Sequence, residues 1–142
     1  MFLTVERLFQ FPIEQVWALA GDFARWPHPT MPSQIVKEGD PQNGGIGSER
    51  LVKIGRSMFR ERLDAIDPPH SYKYTMLSGA PVKSYIGNVK LLPEGEQTRV
   101  HWTCEFFPKY PGTGWLVMRI TIRNYNMFLD SIGQELSRNI GL

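Results

Sequence analysis

The sequence predicts an α+β domain in which a curved antiparallel sheet of about seven strands wraps a long C-terminal helix, with two short helices after the first strand. Three observations lead there. Short apolar/polar segments separated by turn residues fill the chain from Gln34 to Phe107. An amphipathic stretch without proline follows Gly114 and runs to the end. A single strand-like segment and a helical one precede both.

The opening Phe2-Leu3-Thr4-Val5-Glu6-Arg7-Leu8-Phe9 has strand composition, with Leu3, Val5 and Phe9 marking a buried side. Pro12 sits where proline starts helices well. After it Ile13, Val16, Trp17 and Ala20 share a face at spacings of three and four, and Gly21-Asp22 ends the helix. A second short helical turn is expected from Phe23 to Trp26, stopped by Pro27. Six strands follow at 34–38, 47–54, 58–66, 71–77, 83–92 and 98–107, separated by clusters rich in Gly, Pro, Asp and Asn. Neighbours joined by such short turns pair antiparallel, which makes a meander. In the tail, Met118, Ile122, Tyr125, Leu129, Ile132 and Leu136 step by four and three, with Arg119, Arg123, Asn126, Asp130 and Ser137 opposite them. At 1.5 Å per residue such a helix is about 35 Å long, enough to cross the whole sheet.

Composition excludes several classes. The 142 residues fit one domain, with 42% hydrophobic and 21% charged residues. A net charge of +2 is too balanced to imply a nucleic-acid partner. No apolar run could span a bilayer, so no stable membrane insertion is expected. The start MFLTVERLFQF is broken by Glu6 and Arg7 and does not read as a signal peptide. With one cysteine, Cys104, the chain has no internal disulfide, and a cytoplasmic location is the simplest expectation. His28, His70 and His101 are scattered without partners at metal-ligand spacing, so neither a metal nor any other cofactor is expected.

Several local motifs now align with one family. Phe11-Pro12-Ile13-Glu14-Gln15-Val16-Trp17, then Asp22-Phe23 and Trp26, resembles the opening of the polyketide cyclase/dehydrase-like group. Gly45-Ile46-Gly47-Ser48-Glu49-Arg50 is similar to its G-x-G-x-x-R segment, and Glu61-Arg62-Leu63 with Asp67 to its E-x-L…D strand. Tyr74, Pro81, Tyr85 and Thr98-Arg99-Val100-His101-Trp102 resemble its later strands. That group belongs to the superfamily of START lipid-transfer domains and the birch-pollen allergen. The resemblance spans essentially the whole chain and implies the helix-grip fold. It implies much less about activity, since members include carriers, receptors and aromatase/cyclases.

Strand alternation sorts the side chains that could meet a ligand. Val100, Trp102, Cys104 and Phe106 form one set; Tyr85, Gly87, Val89 and Leu91 another; Tyr72, Tyr74 and Met76 a third. Phe59, Glu61, Leu63 and Ala65 are expected on the same inner side, while Lys83 breaks its strand's pattern. With Tyr125 from the helix, this interior is polar for a dry core, and a partly hydrated cavity with apolar walls is the expectation. The candidate ligand-binding residues are Glu61, Tyr74, Tyr85, Trp102, Cys104, Met118 and Tyr125, with Glu61 the candidate general acid/base. Each has a plainer reading: Trp102 as core, the tyrosines as hydrogen-bonded core, Glu61 as the partner of an arginine, Cys104 as an inert thiol. Arg60, Arg62, Lys53 and Arg56 read as a solvated sheet face.

Three functions stay open. One is a binding or transfer module for a small hydrophobic ligand (a lipid or polycyclic aromatic), as a monomer or weak homodimer, with segments 26–32, 78–82 and 109–114 as gates. The second is a cyclase, aromatase or dehydrase in which Glu61 exchanges a proton while Tyr74 or Tyr85 polarises an oxygen. The third is a protein-interaction module, which requires an exposed apolar patch. An enzyme would hold Glu61 within hydrogen-bond reach of a cavity tyrosine; a carrier needs no such pair.

Overall fold

A computed structural model describes residues 1–25 and 31–140 of the chain. The elements are β1 (Phe2–Phe9), α1 (Ile13–Ala20), β2 (Ser33–Lys37), β3 (Glu49–Ile54), β4 (Ser57–Asp67), β5 (Ser71–Ser78), β6 (Val82–Glu94), β7 (Gln97–Pro108) and α2 (Gly114–Ile140). Seven strands form one sheet in the order β1-β7-β6-β5-β4-β3-β2, and every pairing is antiparallel. The meander therefore runs from β2 to β7, and β1 adds itself beside β7.

Turn chemistry sets the register of the hairpin that matters most for the site. β3 and β4 meet through Gly55 and Arg56, with Gly55 at φ 60, where a side chain would be strained. Counting back in equal steps from that turn places Val52 opposite Phe59 and Arg50 opposite Glu61.

Bulges bend the sheet. In β4, Leu63 faces Tyr74 and Ala65 faces Lys73, so Asp64 is the extra residue. Alternation flips there. Ala65, expected inside with Glu61 and Leu63, is exposed, and Ile66 packs against the core in its place. A second bulge between Val82 and Ser84 carries Lys83 out of step, which accounts for its broken pattern. Elsewhere the expected inner sets face inward, with Val100, Trp102, Cys104 and Phe106 at 0% exposure and Phe59 and Met76 half-buried.

The helix α2 has 27 residues and buries a stripe of Val117, Thr121, Tyr125, Phe128, Leu129, Ile132 and Leu136 against the sheet. Arg7 on β1 ties down its middle, bonding Asp130 at 2.7 Å and Asn126 at 3.0 Å. The short helix α1 buries Val16 and Ala20 fully and stands Trp17 edge-on to Tyr72. The expected second short helix is a turn at Phe23 and Ala24 as far as Arg25, and Trp26 lies outside the described residues. On the outer face two arginines of the basic strip are paired: Arg60 with Glu49 at 2.6 Å and Arg62 with Asp64 at 2.7 Å.

Candidate functional site

Between β3–β6 and the first turns of α2 lies a cavity of about 230 Å³. Its walls are largely apolar. Val52 and Ile54 come from β3, Phe59 from β4, Met76 from β5, and Leu116, Val117 and Ile120 from α2. Its polar side chains include Glu61, Tyr74 and Tyr85 from the sheet, with Thr121, Asn124 and Tyr125 from the helix. The segments 78–82 and 109–114, expected as gates, flank it through Gly79, Ala80, Pro81, Tyr110 and Thr113. They are fastened to each other, since the Lys109 N–H donates to the Pro81 carbonyl at 2.9 Å. Of segment 26–32, all but Met31 and Pro32 lies outside the described residues.

Glu61 is held by its cross-strand neighbour. Arg50 Nε donates to Glu61 Oε1 at 2.8 Å, and Arg50 Nη2 stands at 2.8 Å from the same oxygen. Both residues are buried, at 1% and 4% exposure. Arg50 also donates to the Phe23 carbonyl at 3.0 Å and lies 4.2 Å from the centre of the Phe23 ring. Burial pushes the Glu61 carboxyl above its ordinary pKa, with the Arg50 charge pulling against it. For Arg50 desolvation works downward, and the Glu61 charge and hydrogen bond together with Tyr72 and Tyr74 outweigh it, so the guanidinium stays cationic. No hydrogen bond joins Glu61 to a tyrosine among the described residues, which is the contact an acid/base pair would need.

The tyrosines bond to one another instead. Tyr125 Oη meets Tyr74 Oη at 3.0 Å and also meets Tyr85 Oη, while Trp102 Nε1 donates to Tyr74 Oη at 3.2 Å. Burial holds the phenols of Tyr74, Tyr85 and Tyr125 well above their ordinary pKa of 10.0. Gly87 stands opposite Tyr74 on β6, and a Cβ there would lie 2.2 Å from Tyr74 Cζ. The glycine makes room for the ring.

Glu61, Tyr74, Tyr85 and Tyr125 thus come together at the cavity, and the other three candidates do not line it. Trp102 lies beneath, its ring stacked 3.7 Å from that of Tyr125 and edge-on to Phe128. Cys104 is buried beside the same tyrosines, its thiol pushed up to about 11 by burial. Both belong to β7, a strand beyond the part of the sheet that faces the cavity. Met118 packs half-buried on the flank of α2, and Val117 and Thr121 turn inward instead. Arg50 was missed as a site residue, although the two-residue turn at Gly55-Arg56 already places it across from Glu61.

An antiparallel sheet closed on a long helix over an internal cavity defines the helix-grip class. Within it, this chain belongs to the family described as "Polyketide cyclase / dehydrase and lipid transport", whose model matches residues 3–135. Solved structures agree in fold. A START superfamily protein from Mycobacterium smegmatis superposes with a TM-score of 0.78 at 12% identity, covering 96% of this chain and 97% of that one. The Zhui aromatase/cyclase from Streptomyces sp. R1128 gives 0.77 at 17% identity, covering 99% and 95%. A protein from Thermobifida fusca gives 0.81 at 22% identity, covering 96% and 93%. No curated protein sequence matches the chain. Family and fold together support a START- or polyketide-cyclase-like domain for hydrophobic ligands. Among the described residues no helix is long and apolar enough to cross a membrane.

Proposed function

We propose that the chain binds a small, largely apolar molecule in the cavity between β3–β6 and α2 and carries it, with the loops at Gly79–Pro81 and at Tyr110–Thr113 opening together as the gate. The observation that carries this reading is the cavity itself, with apolar walls and polar groups gathered where Glu61 and the three tyrosines enter. Binding is favoured over catalysis because Glu61 is engaged by Arg50 and the tyrosines by one another. A cavity of about 150 Å³ accepts benzene, so 230 Å³ fits a compound of one or two rings or a short chain. A larger polycycle or a lipid would extend through the mouth, past the half-exposed Tyr110, Leu116 and Ile120. The cavity is complete within one chain, which fits action as a monomer or weak homodimer.

Native mass spectrometry of the purified protein, followed by denaturing extraction, tests this. The expected result is a stoichiometric small apolar compound, or uptake of one from a panel of aromatics and fatty acids. A spectrum unchanged across the whole panel would overturn the reading.

A further inference from the structure

The hydroxyls at the inner end of the cavity hold one more proton than they can place among themselves. Tyr125 Oη is bonded to Tyr74 Oη and to Tyr85 Oη, and each bond uses one hydroxyl proton. Three hydroxyls bring three protons. The remaining bond in the cluster, from Trp102 Nε1 to Tyr74 Oη, brings its own proton and occupies a lone pair. Whichever direction the O–H···O chain runs, one O–H has no oxygen acceptor within the cluster. All three residues are buried, at 1%, 3% and 2% exposure, and all three line the cavity.

Neighbouring groups offer the surplus only a weak acceptor. Glu61 hydrogen-bonds to Arg50 and to none of the three tyrosines. The buried Cys104 side chain is within hydrogen-bonding reach of Tyr85 and Tyr125, but its sulfur is a weak acceptor and its thiol adds a weak donor of its own. A ligand oxygen that accepts this O–H completes the network.

On the reading that this cavity holds the ligand, we infer that Tyr74, Tyr85 and Tyr125 form an acceptor-selecting subsite, and that the ligand presents to it an accepting oxygen on an apolar frame of one or two rings. Aryl ketones, aryl aldehydes and quinones carry such an oxygen. A hydrocarbon of the same outline leaves the O–H without a strong acceptor.

The test compares two molecules of nearly identical shape, 2-acetylnaphthalene and 2-isopropenylnaphthalene, by isothermal titration calorimetry on the full chain. The infrared stretch of a carbon-13-labelled carbonyl is recorded in the complex. The expected result is at least about tenfold tighter binding of the ketone, with its carbonyl stretch below that in hydrocarbon solvent. In the Tyr74→Phe/Tyr85→Phe/Tyr125→Phe variant, checked for folding by circular dichroism, both preference and shift are expected to vanish. Equal affinities with an unshifted carbonyl would overturn the subsite and leave the cavity reading standing. If neither compound binds, or if Val117→Trp, which fills the cavity, does not weaken binding, the cavity reading falls and the subsite with it.

Discussion

Removing the carboxylate of Glu61 while leaving Arg50 in place strands a guanidinium in the core. Arg50 is 1% exposed, and its two contacts to Glu61 at 2.8 Å supply its countercharge. Breaking a buried pair from one side typically costs about 3–5 kcal/mol. Here the Phe23 carbonyl at 3.0 Å and the Phe23 ring at 4.2 Å still stabilise the cation. The lower end of that range, ~3 kcal/mol, is therefore expected for Glu61→Leu. With a urea dependence of ~2 kcal/mol per molar, the unfolding midpoint falls by roughly 1.5 M. Removing both charges with Arg50→Met/Glu61→Leu should recover most of the loss, because apolar groups of similar volume often replace a buried pair at little cost. Urea unfolding followed by circular dichroism reads both variants, provided the slope stays at the wild-type value. A single variant within about 1 kcal/mol of wild type, or a double variant less stable than the single, would refute the assignment.

Gly87→Ala should cost about 1–3 kcal/mol by overpacking, since its Cβ would sit 2.2 Å from Tyr74 Cζ. Near-ultraviolet circular dichroism should report the displaced ring. Alkaline pH should destabilise the protein. Burial raises the phenols of Tyr74, Tyr85 and Tyr125 well above 10.0 and the Cys104 thiol from 9.0 to about 11. Between pH 9 and 11 for the thiol, and above pH 10 for the phenols, the unfolded chain releases protons that the folded one keeps. The contribution of these groups is therefore complete below pH 9 and falls as the pH rises, with phenolate absorbance from the three tyrosines appearing together with unfolding. Cys104 should alkylate at the rate of global unfolding, measured with iodoacetamide across urea concentrations; reaction at the rate of a free thiol in native buffer would contradict its burial.

Much of this fold is legible in the sequence because hairpins and amphipathic helices are local. The strand alternation that puts Trp102 with Val100 and Cys104 needs no knowledge of the partner strand. The Gly55-Arg56 turn is enough to align Arg50 with Glu61 once equal steps are counted from it. Ala65 defeats the same logic. A bulge is defined by two residues facing one across a ladder, and nothing in the run from Phe59 to Ile66 marks Asp64 as the extra residue. Met118 shows a second kind of loss. Each helical residue advances the face by about 100°, so a stripe aligned on Met118 and Ile122 differs by only one position from the Val117 and Thr121 edge that meets the cavity. Which edge is chosen depends on sheet curvature. Trp102 and Cys104 sit on the inner face as expected, yet the cavity ends one strand short of them, because the rings of Tyr125 and Phe128 cover Trp102.

The most direct measurement is a titration of the isotope-labelled protein with 2-acetylnaphthalene, followed by backbone amide and methyl NMR in wild type and in Val117→Trp. Saturable shifts centred on Val52, Met76, Val117 and Thr121, and abolished by the tryptophan, are expected if the cavity is the binding site. Shifts that are absent, or that persist unchanged in Val117→Trp, would contradict it.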